Sequence, residues 1–288
     1  MENENTIPFY KKVGYSIGKI SKYPEMINLG WKKAVKYLVI LMIIFAAILS
    51  GISTYSSYQY AQETYKYLQE NIPECEYKEG VLTTNNEEAK TLENTFLTNS
   101  FGGKIIIDTK TEDENAINGY ISSLGSDIGY ILRKDKIITV NLENDGNKAY
   151  TYPEFFEKYF KTKIDSFTKQ DILNIVQIEG NRYITFYLEY LIIYAISYFI
   201  VFSIYIFIAT LIIFIFAKIL KIKYKLPDIY ASTIYGFTLT IILYLAYIII
   251  SYFTQIVVPY LEQILVVIGT LYSTVAVYKE KENQTISE

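Results

Sequence analysis

Histidine is absent from this chain of 288 residues. Its absence removes the commonest general base and the commonest metal ligand together. A Ser-His-Asp triad is excluded, and no Gly-x-Ser-x-Gly elbow is present to seat a nucleophile. Cysteine is almost absent too. Cys75 is the only one, so no internal disulfide can form and an exported domain would have to rely on its apolar core. A lone cysteine reads first as a small apolar residue. No glycine-rich run ends in Gly-Lys-Ser/Thr, so Thr109-Lys110-Thr111 is not a P-loop. Long basic runs interleaved with aromatics are lacking and the net charge is −3, so nucleic acid is not implied as a partner. No residue is assigned a catalytic, cofactor-binding or metal-binding role, and no cofactor is expected.

What the chain has is segregation. It is 51% hydrophobic and only 20% charged, and the charge is unevenly placed. Val35–Ile52, Ile184–Ala217, Ile229–Phe253 and Ile264–Val277 are nearly free of it. A helix crosses hydrocarbon in roughly 20 residues, so these runs predict four transmembrane helices. Basic residues orient them. Lys11, Lys12, Lys19, Lys22, Lys32, Lys33 and Lys36 precede the first run, and Lys218, Lys221, Lys223 and Lys225 follow the second. The positive-inside rule puts both clusters, and both termini, in the cytoplasm. The first run is read as an uncleaved helix rather than a signal peptide, because the basic region is long and the cleavage signal near Ser50 is poor. Pro227 and Asp228 open the third helix, and Pro259 marks an outer loop.

The second apolar run is too long for one crossing, and the first continues without a breaker to Pro73. Each excess is roughly 28 Å at 1.5 Å per residue. Both carry tyrosines at helical spacing, Tyr55, Tyr58 and Tyr65 on one and Tyr183, Tyr187, Tyr190, Tyr194 and Tyr198 on the other. An antiparallel two-helix stalk is predicted, with Tyr58 and Tyr65 as candidate contacts to Tyr187 and Tyr190. The alternative is an interfacial aromatic belt.

Between them lies an acidic segment of mixed pattern. Strands are expected at Tyr77–Leu82, Lys104–Asp108, Tyr130–Leu132 and Lys136–Val140, with turns at Gly102-Gly103 and Lys134-Asp135. Thr111-x-x-Glu114 reads as a capping box for a helix ending near Leu124. Pro153 suits the first turn of a helix to Lys161. Thr168-x-x-Asp171 opens another over Lys169–Ile178, which could continue into the stalk. The expectation is an α+β domain with a small antiparallel sheet. Ile107-Asp108-Thr109 superficially suggests an aspartic-protease loop. That chemistry needs two carboxylates, so a strand-end turn is the better reading. A Ser-Lys dyad has no supporting spacing. Glu189 and Glu262 interrupt the apolar runs and are read as interfacial.

The fold class expected is a membrane protein of four transmembrane α-helices with an inserted extracytoplasmic α+β domain on a two-helix stalk. Residues 1–34 form a basic cytoplasmic segment, 35–72 the first transmembrane helix and its extension, and 73–179 the extracytoplasmic domain. Residues 180–217 are the second extension and helix, 218–228 a basic loop, 229–253 the third helix and 254–259 an outer loop. Residues 260–278 are the fourth helix and 279–288 a cytoplasmic tail.

Four runs also carry a family likeness. Tyr23-Pro24-Glu25 with Gly30-Trp31-Lys32-Lys33-Ala34, Gly103-Lys104-Ile105-Ile106-Ile107-Asp108-Thr109, Gly129-Tyr130-Ile131-Leu132-Arg133-Lys134-Asp135-Lys136, and Phe167-Thr168-Lys169-Gln170-Asp171-Ile172-Leu173 are similar to the bacterial domain-of-unknown-function family 1189. The resemblance covers most of the chain. Lys110 stands where the family pattern often has glycine. The resemblance implies a bacterial membrane location, here the cytoplasmic membrane, and no catalytic residues. Some members are labelled maltodextrin utilisation proteins. The leading functional expectation is a non-enzymatic sensor or scaffold, in contact with the lipid bilayer and with a membrane protein partner. An accessory role in small-solute uptake is the alternative, and a membrane-embedded enzyme the third. The cytoplasmic loop Lys218–Asp228 is too short for the coupling helix of a binding-protein-dependent permease. No ligand is identified.

Overall fold

The computed structural model describes residues 7–93, 103–125, 127–143, 146–222 and 224–286. Gly102 and Lys223 lie outside them, as do the side chains of Lys279 and Lys281. The chain divides into two compact units, Met1–Ile52 with Tyr187–Glu288, and Ser53–Phe186.

The first unit is helical. It begins with α1 (Phe9–Gly18), a 3₁₀ turn (Ile20–Lys22) and α2 (Tyr23–Ile27). These short helices were not expected within a segment read only as basic. Gly30 (φ 86°) then turns the chain into α3 (Trp31–Asn71), whose first part belongs to this unit. Its other helices are most of α7 (Tyr183–Ile219), α8 (Leu226–Thr254) and α9 (Leu261–Ile286). Among the described residues four helices, α3, α7, α8 and α9 (as far as Tyr278), are long and apolar enough to cross a membrane. Each apolar run thus forms one unbroken helix, the long second one included. Ile43, Ile192, Ile200, Phe207 and Ile215 are exposed along them, as expected where lipid is the solvent.

The core of this unit gathers Tyr37, Phe45, Phe202, Ile206, Tyr235 and Phe237. The first half of α8 is enclosed on all sides: nearly every residue from Ile229 to Ile241 is buried. Small residues permit this. A Cβ on Gly236 would sit 2.0 Å from Ser273 Oγ, and one on Gly269 2.5 Å from Thr240 Oγ1. The backbones of α8 and α9 therefore approach closely, the packing mode that operates where no hydrophobic drive separates helix from lipid. α1 is fixed at its C-terminal end. The hydroxyl of Tyr23 donates to Ser16 O at 2.9 Å and that of Tyr272 to Ile17 O at 2.7 Å, satisfying helix-end carbonyls.

The second unit holds two sheets. One has three antiparallel strands in the order β2-β1-β8: β1 (Cys75–Lys78), β2 (Val81–Thr84) and β8 (Ser166–Thr168). The predicted single strand Tyr77–Leu82 is in fact a hairpin. Glu79 (φ 54°) and Gly80 (φ 85°) both take left-handed conformations, the two-residue turn that matches strand twist. The other sheet has the order β3-β4-β5-β6-β7: β3 (Lys90–Leu92), β4 (Gly103–Ile107), β5 (Ile128–Leu132), β6 (Lys136–Glu143) and β7 (Gly146–Thr151). It is mixed rather than antiparallel, because β4 and β5 pair in parallel, Ile105 opposite Tyr130. Parallel neighbours need a crossover, and α4 (Glu114–Leu124) supplies it. A Cβ on Gly129 would meet Leu124 Cδ1 at 2.4 Å, so the bare backbone there lets α4 settle on the sheet.

Helix ends follow the side chains. Asp113, not Thr111, caps α4, accepting from Asn115 N–H at 2.9 Å. Thr111 is occupied elsewhere, as described below. The predicted helix around Pro153 is α5 (Tyr152–Phe160), opened by a reciprocal capping box between Thr151 and Glu154. Thr168 and Asp171 do the same for α6 (Lys169–Gly180). α6 does not run on into α7; Asn181 and Arg182 interrupt the helix. The last turn of α3 packs here, Leu68 and Ile72 meeting Leu92, Ile107 and Leu173.

Candidate functional site

The apolar run of β4 ends in a carboxylate. Asp108 is only 3% exposed, and its nearest cation, Arg133 at the end of β5, is 7% exposed. Parallel pairing of β4 and β5 brings the two ends together. Asp108 Oδ1 accepts the N–H groups of Lys110 and Thr111, both at 3.0 Å. Oδ2 accepts the Tyr120 hydroxyl at 2.8 Å and Arg133 Nη1 at 3.4 Å. Arg133 also donates to Thr111 O. Burial pushes the Asp108 carboxyl up, but the Thr111 N–H, the Tyr120 hydroxyl and the Lys110 N–H together hold it below the usual carboxylate range. The same contacts act in reverse on Tyr120, where burial and then Asp108 raise the phenol.

This network reaches outward. The Tyr152 hydroxyl donates to Arg133 O at 2.7 Å. Thr84 and Thr109 share a hydroxyl hydrogen bond of 2.7 Å, which ties β2 to the turn after β4. Tyr152 in turn packs on Tyr77, centroids 4.6 Å apart, and Tyr77 stacks on Phe167 at 5.2 Å. The carboxylate has no second carboxylate among its partners, so a proton-sharing pair is not formed. The strand-end turn expected at Ile107-Asp108-Thr109 is what the structure contains. Each oxygen of Asp108 is engaged twice, which suits a joint between elements better than a reactive group.

A second carboxylate lies in the helical unit. Glu262, in the first turn of α9, is half-buried. In the same unit Tyr198 and Tyr244 pack ring to ring, centroids 6.2 Å apart. Their rings pack with Phe45 and Phe202, Tyr198 at 4.8 Å from Phe45 and Tyr244 at 6.0 Å from Phe202. Glu189 is exposed on α7.

The four candidate stalk tyrosines are divided between the units. Tyr58 is exposed and Tyr65 packs beside Leu68 and Leu173 in the second unit. Tyr187 is half-buried and Tyr190 stacks on Tyr194, rings 5.9 Å apart, in the first. Sequence reasoning missed Arg133 and Tyr120. A signal existed for the first: arginine occurs only at 133 and 182 in a chain otherwise served by lysine, and arginine is favoured where a buried pair must be planar and permanently charged.

The family model described as "Protein of unknown function (DUF1189)" matches residues 10–277. The chain belongs to this family. No curated protein and no solved structure matches it. The DUF1189 match begins in α1 and ends in α9, so it takes in both units. The four runs that carry the likeness fall on joints. One is the α2–α3 turn at Gly30, and two are the strand ends that deliver Asp108 and Arg133. The fourth is the Thr168–Asp171 cap of α6.

Proposed function

We propose that this DUF1189 protein is a non-enzymatic membrane sensor or scaffold. Its second unit lies outside the cytoplasm, and two helices link it to the bundle. One observation carries the reading: α3 runs unbroken for 41 residues, from Trp31 to Asn71. At 1.5 Å per residue that is roughly 60 Å, twice the hydrocarbon thickness. The apolar beginning of this helix belongs to the bundle, and its end contributes Leu68 and Ile72 to the core beside Asp108. An event at the second unit would then bear on a helix that continues into the membrane, moving it by tilt or slide. The lysine clusters supply the orientation, with both termini inside.

The test is crosslinking of the full chain in a Cys75→Ser background. Cysteine pairs joining position 58 or 65 to position 187 or 190 should oxidise readily at one pair at least, since disulfides demand Cβ atoms within about 4.5 Å. A complete scan of both helices without a crosslink would refute the stalk. Glu63→Pro should uncouple the two units without unfolding either.

A further inference from the structure

The fold gathers lysines from α1 and the start of α3. The ring of Phe9, in the first turn of α1, packs on Tyr37 of α3, centroids 5.2 Å apart. Lys12 follows Phe9 by three positions and Lys33 precedes Tyr37 by four, so each lysine shares a helix face with its aromatic neighbour. The ring contact aligns them, and Lys36 stands one residue before Tyr37. The Lys12 ammonium lies below its ordinary pKa, first through partial burial and then through the charges of Lys33 and Lys36. Among the described residues the nearby acids are engaged elsewhere: Glu25 pairs with Lys22, and Asp228 accepts from the Lys225 N–H. Among the described residues the three cations converge with no ion pair to any of them, an arrangement an external anion would relieve.

Depth selects the kind of anion. Trp31 and Tyr10 flank the lysines and are 44% and 69% exposed. Exposed Trp and Tyr beside a membrane-crossing run sit at headgroup level. The apolar part of α3 begins at Val35, between Lys33 and Lys36, so the amines lie where lipid phosphates lie. We propose that Lys12, Lys33 and Lys36 form a docking surface for the phosphodiester headgroup of an anionic phospholipid, which clips α1 to α3 at the membrane surface. Basic patches beside membrane helices commonly take such headgroups.

Trp31 is the only tryptophan, so its fluorescence reports on this surface alone. The full chain would be reconstituted in phosphatidylcholine bilayers containing phosphatidylglycerol, with brominated chains on one lipid or the other. At equal mole fraction, brominated phosphatidylglycerol should quench Trp31 several-fold more effectively. The preference should fall by up to roughly fivefold for each lysine changed to glutamine. It should persist in the triple Lys→Arg variant. If the triple Lys→Gln variant does not fold, K33Q and K36Q singly, both at exposed positions, should each lower it. Equal quenching by the two lipids, or a preference that survives Lys→Gln, overturns the proposal. So does displacement by inorganic phosphate against chloride at matched ionic strength, which would assign the surface to a soluble anion.

Discussion

Replacing Asp108 by alanine should destabilise the second unit selectively. The substitution strips four donors of their acceptor: two backbone N–H groups, the Tyr120 hydroxyl and Arg133. It leaves the Arg133 guanidinium 7% exposed with no counter-charge. Breaking a buried pair on one side costs about 3–5 kcal/mol. For a domain of this size that lowers the melting temperature by roughly 10 °C or more. Cys75 supplies the assay. It is the only thiol, sits half-buried in β1, and burial raises its pKa to about 11. An unfolded cysteine titrates near 8.5. At neutral pH the thiolate fraction should then rise on the order of a hundredfold as this unit opens, so a thiol-reactive fluorophore follows it in the intact chain. Changing Asp108 and Arg133 together to asparagine and methionine should cost less than the sum of the single changes. Acid probes the same contacts. The carboxyl is depressed in the folded state, so its contribution is complete above the unfolded value near 3.9 and is lost as pH falls through the lower folded value. A Cys75 melting curve unchanged by Asp108→Ala at neutral pH would refute the argument, as would a melting temperature of this unit, followed by circular dichroism, that does not fall as the pH passes below the depressed carboxyl value.

Three further outcomes are expected. Gly236→Val should force α8 and α9 apart, at a cost of about 1–3 kcal/mol for overpacking, visible as a lower melting temperature of the helical unit. Gly236→Ala should be partly rescued by Ser273→Gly, which vacates the space its Cβ needs. Thr151→Ala should remove one arm of the α5 capping box and cost about 1 kcal/mol, read from the same Cys75 curve.

The apolar helices were legible because their signal is redundant: long runs without charge can form little else, and four such helices stand among the described residues. Local chemistry was legible where a residue acts within its own turn, as Pro153 does at the start of α5 and Thr168 with Asp171 at the start of α6. It failed where a distant partner competes. Thr111 had the spacing of a cap, but its carbonyl serves Arg133, and its N–H serves Asp108. Asp113 took the cap instead. The parallel pairing of β4 with β5 escaped because nothing in a five-residue apolar strand states its partner's direction. α1 and α2 escaped because the lysines in and around them hid a modest apolar face, Phe9, Val13, Met26 and Ile27, that gains its value only against the bundle. The carboxylate–arginine joint was half seen: the turn at Asp108 was read, and its counter-ion was not.

The anchoring of α1 has a consequence for biogenesis. Its C-terminal carbonyl at Ile17 is held by the hydroxyl of Tyr272, 255 residues later, and Tyr37 bonds Thr238 across 201. α1 therefore waits for α9 to be made before its end is closed. At 5–20 residues per second that interval is roughly 10–50 s. During it α1 can pack on α3 through Phe9 and Tyr37, but its C-terminal end lacks the Tyr272 hydroxyl and stays unclosed. Chains cut short before α9 would leave it so permanently, and a bulky N-terminal fusion would compete with the closing step rather than with insertion of any helix.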